Sequence, residues 1–526
     1  MFMDNKHEAG REAGREAGYE TGVDHALETL RTRFARIGDV ESAAGLLSWD
    51  RQTKMPPGGL ESRAEQLSTL SRIAHEMTVS GETAELLEAA EAATADEPDT
   101  DDVALVRLAR REYEQSVRLP TRLVTEMSRR TALAETAWAK AREESDWSLF
   151  APHLEGIVEL SRESAEHLGY EDHPYDALAD LYERGATRRG LEAMFEELKQ
   201  GVVPLLREVS ESRAAGENDV RKAPLMGDFD ETAQESFGER VTARLGYDLS
   251  RGRQDRAVHP FCIGFSPGDV RITTRFDRGW LSAALFGTIH EAGHAMYEQG
   301  VDPAYTRSPL GGGVSMGVHE SQSRLWENLV GRSRPFWRHF YPELQRTFPG
   351  ELGGTGPEDF YQAINVAEPS EIRVEADELT YNLHILLRFE IETALLEGSL
   401  SVEEIPAAWN ARMEEYLGIT PENVARGALQ DVHWSAGLMG YFPTYAIGNV
   451  LSVQLFEAAK AAHPEIPEEI ERGEFSTLLG WLRENVHRHG SRYTPEELVR
   501  RATGGPLDTA PYLGYLREKY TPLYGL

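Results

Sequence analysis

Residues 281–297 repeat apolar positions at the period of a helix. Leu281, Leu285, Ile289, Ala292 and Met296 form one stripe, Phe286, His290, His294 and Tyr297 a second, and Gly300 marks a stop. Just upstream the period changes to two. Val270, Ile272, Thr274 and Phe276 alternate with Asp269, Arg271, Thr273 and Arg275, which predicts a strand after the turn Ser266-Pro267-Gly268. The rest of the chain reads as helix. Leu27, Leu30, Phe34 and Ile37 predict a helix from about Ala26 to Asp50, followed by a turn at Pro56-Pro57-Gly58-Gly59 and a new helix at Arg63. Residues 58–215 predict a succession of amphipathic helices, with starts at Pro120 and Pro152 and a solvated inter-helix segment over Glu88–Asp102.

The pattern contains no clear linker. It predicts one helical domain over 24–526, preceded by a Gly/Glu/Ala-rich extension at 1–23. Within that extension, residues 7–22 repeat Glu-Ala-Gly every four residues, and the regular glycines make a poor helix with little to bury.

Composition narrows the class. With 526 residues, 40% hydrophobic residues and a mean hydropathy of -0.47, the chain has the make-up of a large soluble protein. It holds no apolar run long enough to span a bilayer. The net charge of -33 disfavours nucleic acid and anionic membranes as partners. Cys262 is the single cysteine, so no intrachain disulfide can form, and the start lacks a secretion-signal pattern; both fit a cytoplasmic location. The seven lysines leave arginine to carry nearly all the positive charge. An acidic, lysine-poor surface is expected of a protein that works in concentrated salt, where self-repulsion is screened. A GC-rich genome would explain the lysine deficit but not the whole acid excess.

The chemistry centres on His290-Glu291-Ala292-Gly293-His294, a His-Glu-x-x-His motif. Residues four apart share a helix face, so the two imidazoles can bind one metal ion, with Glu291 placed to take a proton from water. Two histidines and a glutamate would be costly to bury on an apolar helix without such a purpose. A catalytic zinc of this kind needs a third ligand, often a carboxylate on a later helix. Glu320, in His319-Glu320-Ser321, is the best candidate, and Glu298, Glu327 and Asp302 are rivals. The Gly311-Gly312-Gly313 loop before it lacks a phosphate-binding lysine. The strand ahead of the motif reads as the kind of edge strand along which zinc peptidases hold an extended substrate, by strand addition. Glu371–Glu378 is predicted to open a helix running through Leu383 and Leu387, and His433, Tyr441 and Tyr445 have the character of cleft-lining residues.

Taken together, these segments resemble the carboxypeptidase Taq family of metallocarboxypeptidases. The matching stretches are His259-Pro260-Phe261, Asp269-x-Arg271-x-Thr273, His290-Glu291-Ala292-Gly293-His294, His319-Glu320-Ser321, Ile372-Arg373-x-x-Ala376-Asp377 and Gly427-x-x-Gln430-Asp431-x-His433-Trp434. Trp49-Asp50 through Met55-Pro56 and Tyr441-Phe442-Pro443-Thr444-Tyr445 also match, and the likeness spans about residues 24 to 526. It implies a mainly α, saddle-shaped fold of the neurolysin type, with a deep central groove and a small β element near the metal. It implies a metal-dependent carboxypeptidase that releases C-terminal residues from peptides with broad specificity, uses zinc or cobalt, and forms a homodimer. By the same likeness His290, His294 and Glu320 are metal ligands and Glu291 the general base, while Arg373, Tyr445, His259, Arg271 and His433 fall at substrate-binding positions.

The chemistry that follows assigns Glu291 the proton transfers and His433 or Tyr445 the developing oxyanion. Arg373 is the choice to grip the free C-terminal carboxylate, because a guanidinium can donate two parallel hydrogen bonds. A salt bridge from Arg373 to Glu371, Glu375 or Asp377 is the competing assignment. An oligoendopeptidase or dipeptidyl carboxypeptidase of related architecture is the alternative activity.

Overall fold

The helix that carries the paired histidines, Leu281–Gly300, is buried along both of its apolar stripes. Within those stripes only the imidazole positions, His290 and His294, are half-buried. A computed structural model describes residues 5–95 and 97–526, with side chains from residue 25 onward except at 213 and 214. Helices dominate, and one three-stranded sheet stands immediately before the histidine helix.

The sheet consists of β1 (Gly252–Arg256), β2 (Phe261–Ser266) and β3 (Asp269–Thr274), in the order β1-β3-β2. The β2–β3 pair is antiparallel, with Cys262 opposite Ile272, as the Ser-Pro-Gly turn dictates. The β1–β3 pair is parallel, with Gln254 opposite Ile272. The alternating strand is therefore the central one, not an edge, and it ends at Thr274, short of Phe276. The expected substrate edge at β3 is overturned, because both its sides are already hydrogen-bonded. β1 was hidden because Gly-Arg-Gln-Asp-Arg has no apolar alternation to reveal it.

Three other expectations change. The acidic segment Glu88–Asp102 is largely helical, as the ends of helices Gly81–Thr94 and Asp101–Arg118; its acids are the wet face, whereas Leu87 and Ala90 are fully buried. Glu371–Glu378 does not open a helix. Arg373–Glu375 is one 3-10 turn, and helix Tyr381–Glu397 begins later. The Asp377 carboxylate accepts from the N–H groups of Glu368, Leu379 and Thr380, and so competes with a continuous helix. Finally, the first helix spans Asn5–Thr53, so the backbone of the glycine near-repeat lies in it from residue 7, while the repeat's side chains lie outside the described residues.

Helices start at Thr121 and Ala151, as the prolines predict, and at Leu60, one turn before the expected Arg63 and directly after the turn at 56–59. The N-terminal helices enclose a small core of their own around Leu30, Phe34, Leu87 and Val106. The main core runs from Ala134 to Tyr524 and contains the histidine helix. Among the described residues, no helix is long and apolar enough to cross a membrane.

Candidate metal centre

A short helix, Met316–Arg324, brings Glu320 to the paired histidines. Its first turn is fixed by Ser315, which accepts from the N–H of Val318. The buried Glu183 accepts from Ser315 Oγ and from the N–H of Gly317, placing a carboxylate where helix N-termini favour one. Glycines then let neighbours touch it. A Cβ at Gly293 would stand 2.6 Å from Ser323 Cα, and one at Gly448 would stand 2.4 Å from Glu320 Cγ. Beyond Arg324 the chain widens into a π turn, Leu325–Val330, that carries Glu327.

The result is a convergent donor set. Glu320 Oε2 lies 3.6 Å from His290 Nε2 and 3.5 Å from His294 Nε2, and one ligand atom from each residue falls within 4.8 Å of the others. Two imidazole nitrogens and one carboxylate oxygen are the donors that a catalytic zinc takes from protein, so the residues fit a divalent metal. Burial alone would raise the Glu320 carboxyl, but Arg324 and the two imidazoles hold it well below the usual carboxylate range. Arg324 Nε donates to Glu320 Oε1 at 2.6 Å, which leaves Oε2 facing the histidines.

The rival acids have other partners. His290 Nδ1 donates to Glu327 Oε2 at 2.9 Å, and Glu327 is held in turn by Arg324 and Arg332. Glu298 accepts from His319 Nε2 at 2.7 Å and from the N–H of Gly313, while His319 Nδ1 lies 2.8 Å from His294 Nδ1. Asp302 accepts from the N–H of Ala304 in a separate turn. Both histidines thus have their outer nitrogens fixed, the arrangement that orients metal-binding imidazoles. Glu291 is 6% exposed, and burial is the main cause that pushes its carboxyl up to about 7, with His290 pulling the other way.

A second cluster adjoins the first. Arg373 is buried; its Nε and Nη2 both donate to Asp431 Oδ1, at 3.0 and 2.8 Å, and its Nη1 donates to the Tyr381 hydroxyl at 2.7 Å. Its ion pair is therefore to Asp431, and not to Glu371, Glu375 or Asp377. Arg388 Nε donates to Asp431 Oδ2, so one carboxylate stands between two guanidinium groups. Burial would raise Asp431, yet these two arginines hold it far below its ordinary range. Tyr445 lies under Arg373, 5.0 Å from guanidinium carbon to ring centre, and its hydroxyl is 3.1 Å from His433 Nε2. Burial, helped by Arg373, lowers His433 to about 3, so its ring is neutral.

His259 and Arg271 are not brought into either cluster. His259 is exposed just before β2. Arg271 pairs with Asp269 and lies 4.4 Å over the Trp49 ring, joining the first helix to the sheet. Sequence reasoning missed Arg324, Tyr381 and Arg388. The spacing of Glu320, Arg324 and Glu327 on one helical face was the signal that could have found Arg324.

A family model described as carboxypeptidase Taq (M32) metallopeptidase matches residues 29–520. The chain belongs to this family. Thermostable carboxypeptidase 1 of Thermus thermophilus is 42% identical over 494 residues, covering 92% of this chain and 96% of that protein. Carboxypeptidase 1 of Bacillus subtilis is 41% identical over 490 residues, covering 93% and 97%. The crystal structure of an M32 carboxypeptidase from Deinococcus radiodurans R1 matches with a TM-score of 0.91 at 43% identity, covering 95% of this chain and 100% of the other. As a member of the carboxypeptidase Taq family, the chain is a metal-dependent carboxypeptidase, a peptide hydrolase.

Proposed function

We propose that the metal is zinc, replaceable by cobalt, held by His290, His294 and Glu320. The observation that carries this reading is the convergence of two Nε2 atoms and Glu320 Oε2 on one point, with both outer nitrogens already engaged. The chemistry such an ion supplies when bound is Lewis acidity toward a carbonyl oxygen and toward water.

The chain's own residues do the rest. Glu291, buried and raised toward neutrality, takes a proton from the attacking water and passes it to the leaving amine. Tyr445 and His433 work in series. With its proton on Nε2, the neutral His433 would donate to the Tyr445 oxygen, so that the phenol hydrogen turns away from His433 and can be given to the oxyanion. Arg373 grips the substrate's terminal carboxylate. A guanidinium has five N–H donors. The bonds to Asp431 and Tyr381 engage three, leaving one on each terminal nitrogen as a fork. Arg271 contributes at a distance, by seating the first helix on the sheet through Trp49.

We further propose broad specificity, a homodimer, and a cytoplasmic setting for which the charge of -33 and the lone Cys262 are the support. Mass analysis of the products from one unmodified peptide tests the core of this reading. With zinc or cobalt added, single-residue ladders from the C-terminal end are expected, and a chelator should abolish them. Dipeptide steps or internal fragments would instead indicate a dipeptidyl carboxypeptidase or an oligoendopeptidase.

A further inference from the structure

Tyr381 opens the helix Tyr381–Glu397 and is 4% exposed. Three groups meet on it. The Arg324 guanidinium lies over its ring, 4.4 Å from carbon to centroid. Its hydroxyl accepts from Arg373 Nη1. Its ring meets Tyr445 edge-on, with centroids 6.2 Å apart and planes at 82°. One side chain therefore stands between the arginine that braces Glu320 and the arginine that would hold the substrate's end.

That placement matters for where a carboxypeptidase cuts. Removing one residue at a time requires a fixed separation between the carboxylate grip and the carbonyl that reacts. Arginine side chains are long and rich in rotamers, so neither Arg324 nor Arg373 fixes that separation unaided. Asp431 pins one edge of the Arg373 guanidinium by taking Nε and Nη2 on a single oxygen. The remaining freedom is a swing about that oxygen, and the bond from Nη1 to Tyr381 removes it. Tyr381 cannot move in turn without disturbing Arg324, which also donates to Glu320 Oε1 and Glu327 Oε2.

We propose that Tyr381 is a positioning residue that sets the distance from the Arg373 fork to the metal site, with its hydroxyl on Arg373 and its ring on Arg324, and thereby fixes release of single residues. The proposal rests on the reading of Arg373 as the carboxylate anchor. It divides the side chain into two functions that substitution can separate: the ring serves the metal side and the hydroxyl the substrate side.

The experiment compares Tyr381→Phe, Tyr381→Leu and Arg373→Ala with the parent enzyme. Two quantities are measured: cobalt affinity by chelator competition, and KM and kcat for one peptide with a free C-terminal carboxylate and for its amide. Tyr381→Phe should keep the cobalt affinity of the parent and raise KM for the free-ended peptide about tenfold, with a smaller change in kcat, as expected for loss of one charge-assisted hydrogen bond. Its preference for the free end over the amide should fall by the same factor. Tyr381→Leu should show that loss and weaken cobalt binding as well. The proposal is overturned if Phe leaves KM at the parent value, or if Phe and Leu are alike in both measurements, which is what simple packing would give. If Arg373→Ala abolishes the preference for a free end while Tyr381→Phe keeps it, the positioning proposal alone fails. If Arg373→Ala keeps the preference, the anchor reading fails and the proposal with it.

Discussion

His294 Nδ1 and His319 Nδ1 stand 2.8 Å apart, two ring nitrogens with room for one proton between them. The Nε2 of His294 faces Glu320 and the other imidazole, so a metal-binding His294 carries its proton on Nδ1. His319 then accepts at Nδ1 and donates from Nε2 to Glu298 Oε1. The direction of every hydrogen bond in this row follows from the first. Glu298→Gln keeps an acceptor for His319 but removes the charge, and should weaken zinc or cobalt binding by about 10–100-fold. Chelator competition measures it; an unchanged affinity would separate Glu298 from the metal.

Glu291→Gln tests the base. The amide keeps the size of the carboxylate and leaves His290, His294 and Glu320 in place. Metal content should stay stoichiometric while turnover falls by about 10²–10⁴-fold, the usual contribution of a general base. Substantial remaining activity would remove Glu291 from that role.

Arg373→Ala tests the grip. Losing a buried charged partner at a binding site costs about 2–5 kcal/mol, or thirtyfold or more in kcat/KM, for peptides with a free carboxylate. Their amides should be almost unaffected. If the parent enzyme already cuts both alike, no residue in the cleft reads the terminal charge.

Asp431 gives a pH signature in stability. Its folded pKa is far below the unfolded value, so its contribution is whole above about pH 4 and declines as pH falls toward the folded pKa. Asp431→Asn leaves Arg373 and Arg388 without their shared carboxylate and should lose about 3–5 kcal/mol at pH 7. Urea unfolding from pH 7 down to pH 3 should show the gap between variant and parent narrowing below pH 4. A gap that is constant across that range would mean the carboxylate charge contributes nothing.

The acidic surface makes a prediction of its own. At a net charge of -33, self-repulsion should be relieved by salt. The unfolding midpoint should climb steadily from low to multimolar sodium chloride, and a flat curve would leave genome composition as the reason for the missing lysines.

How far the sequence reaches is clearest at particular residues. The four-residue spacing of His290 and His294 sufficed to predict one shared face, and the structure has both rings converging with Glu320. Glu320 could be ranked above its rivals but not separated from them, because Glu298 and Glu327 belong to the same two segments, and only the fold shows that Glu327 meets the outer nitrogen of His290 and Glu298 meets His319. Arg373 was legible as a cation worth noticing, whereas its partner Asp431 was not, being 58 positions away. β3 was legible from its alternation, but its central position depended on β1, whose residues are almost all polar. Arg271 was named for its place in a matching stretch, yet a stretch records neighbours in sequence, and its neighbours in space are Trp49 and Phe265.

The two spacer positions of His290-Glu291-Ala292-Gly293-His294 contribute no donor and no proton, so they look like the freest letters in the motif. Gly293 is the opposite. It is where the backbones of the helices that carry His290, His294 and Glu320 meet, and a single methyl group there would have to occupy the space of Ser323 Cα and the Gln322 carbonyl. A glycine inside a helix is itself unfavourable by roughly 0.5–1 kcal/mol relative to alanine, so helix propensity alone favours its replacement. Drift toward alanine would make a better helix and a worse enzyme, since the gap that opens would carry Glu320 away from the imidazoles. The narrowest latitude for change in this catalytic centre therefore belongs to a residue with no side chain.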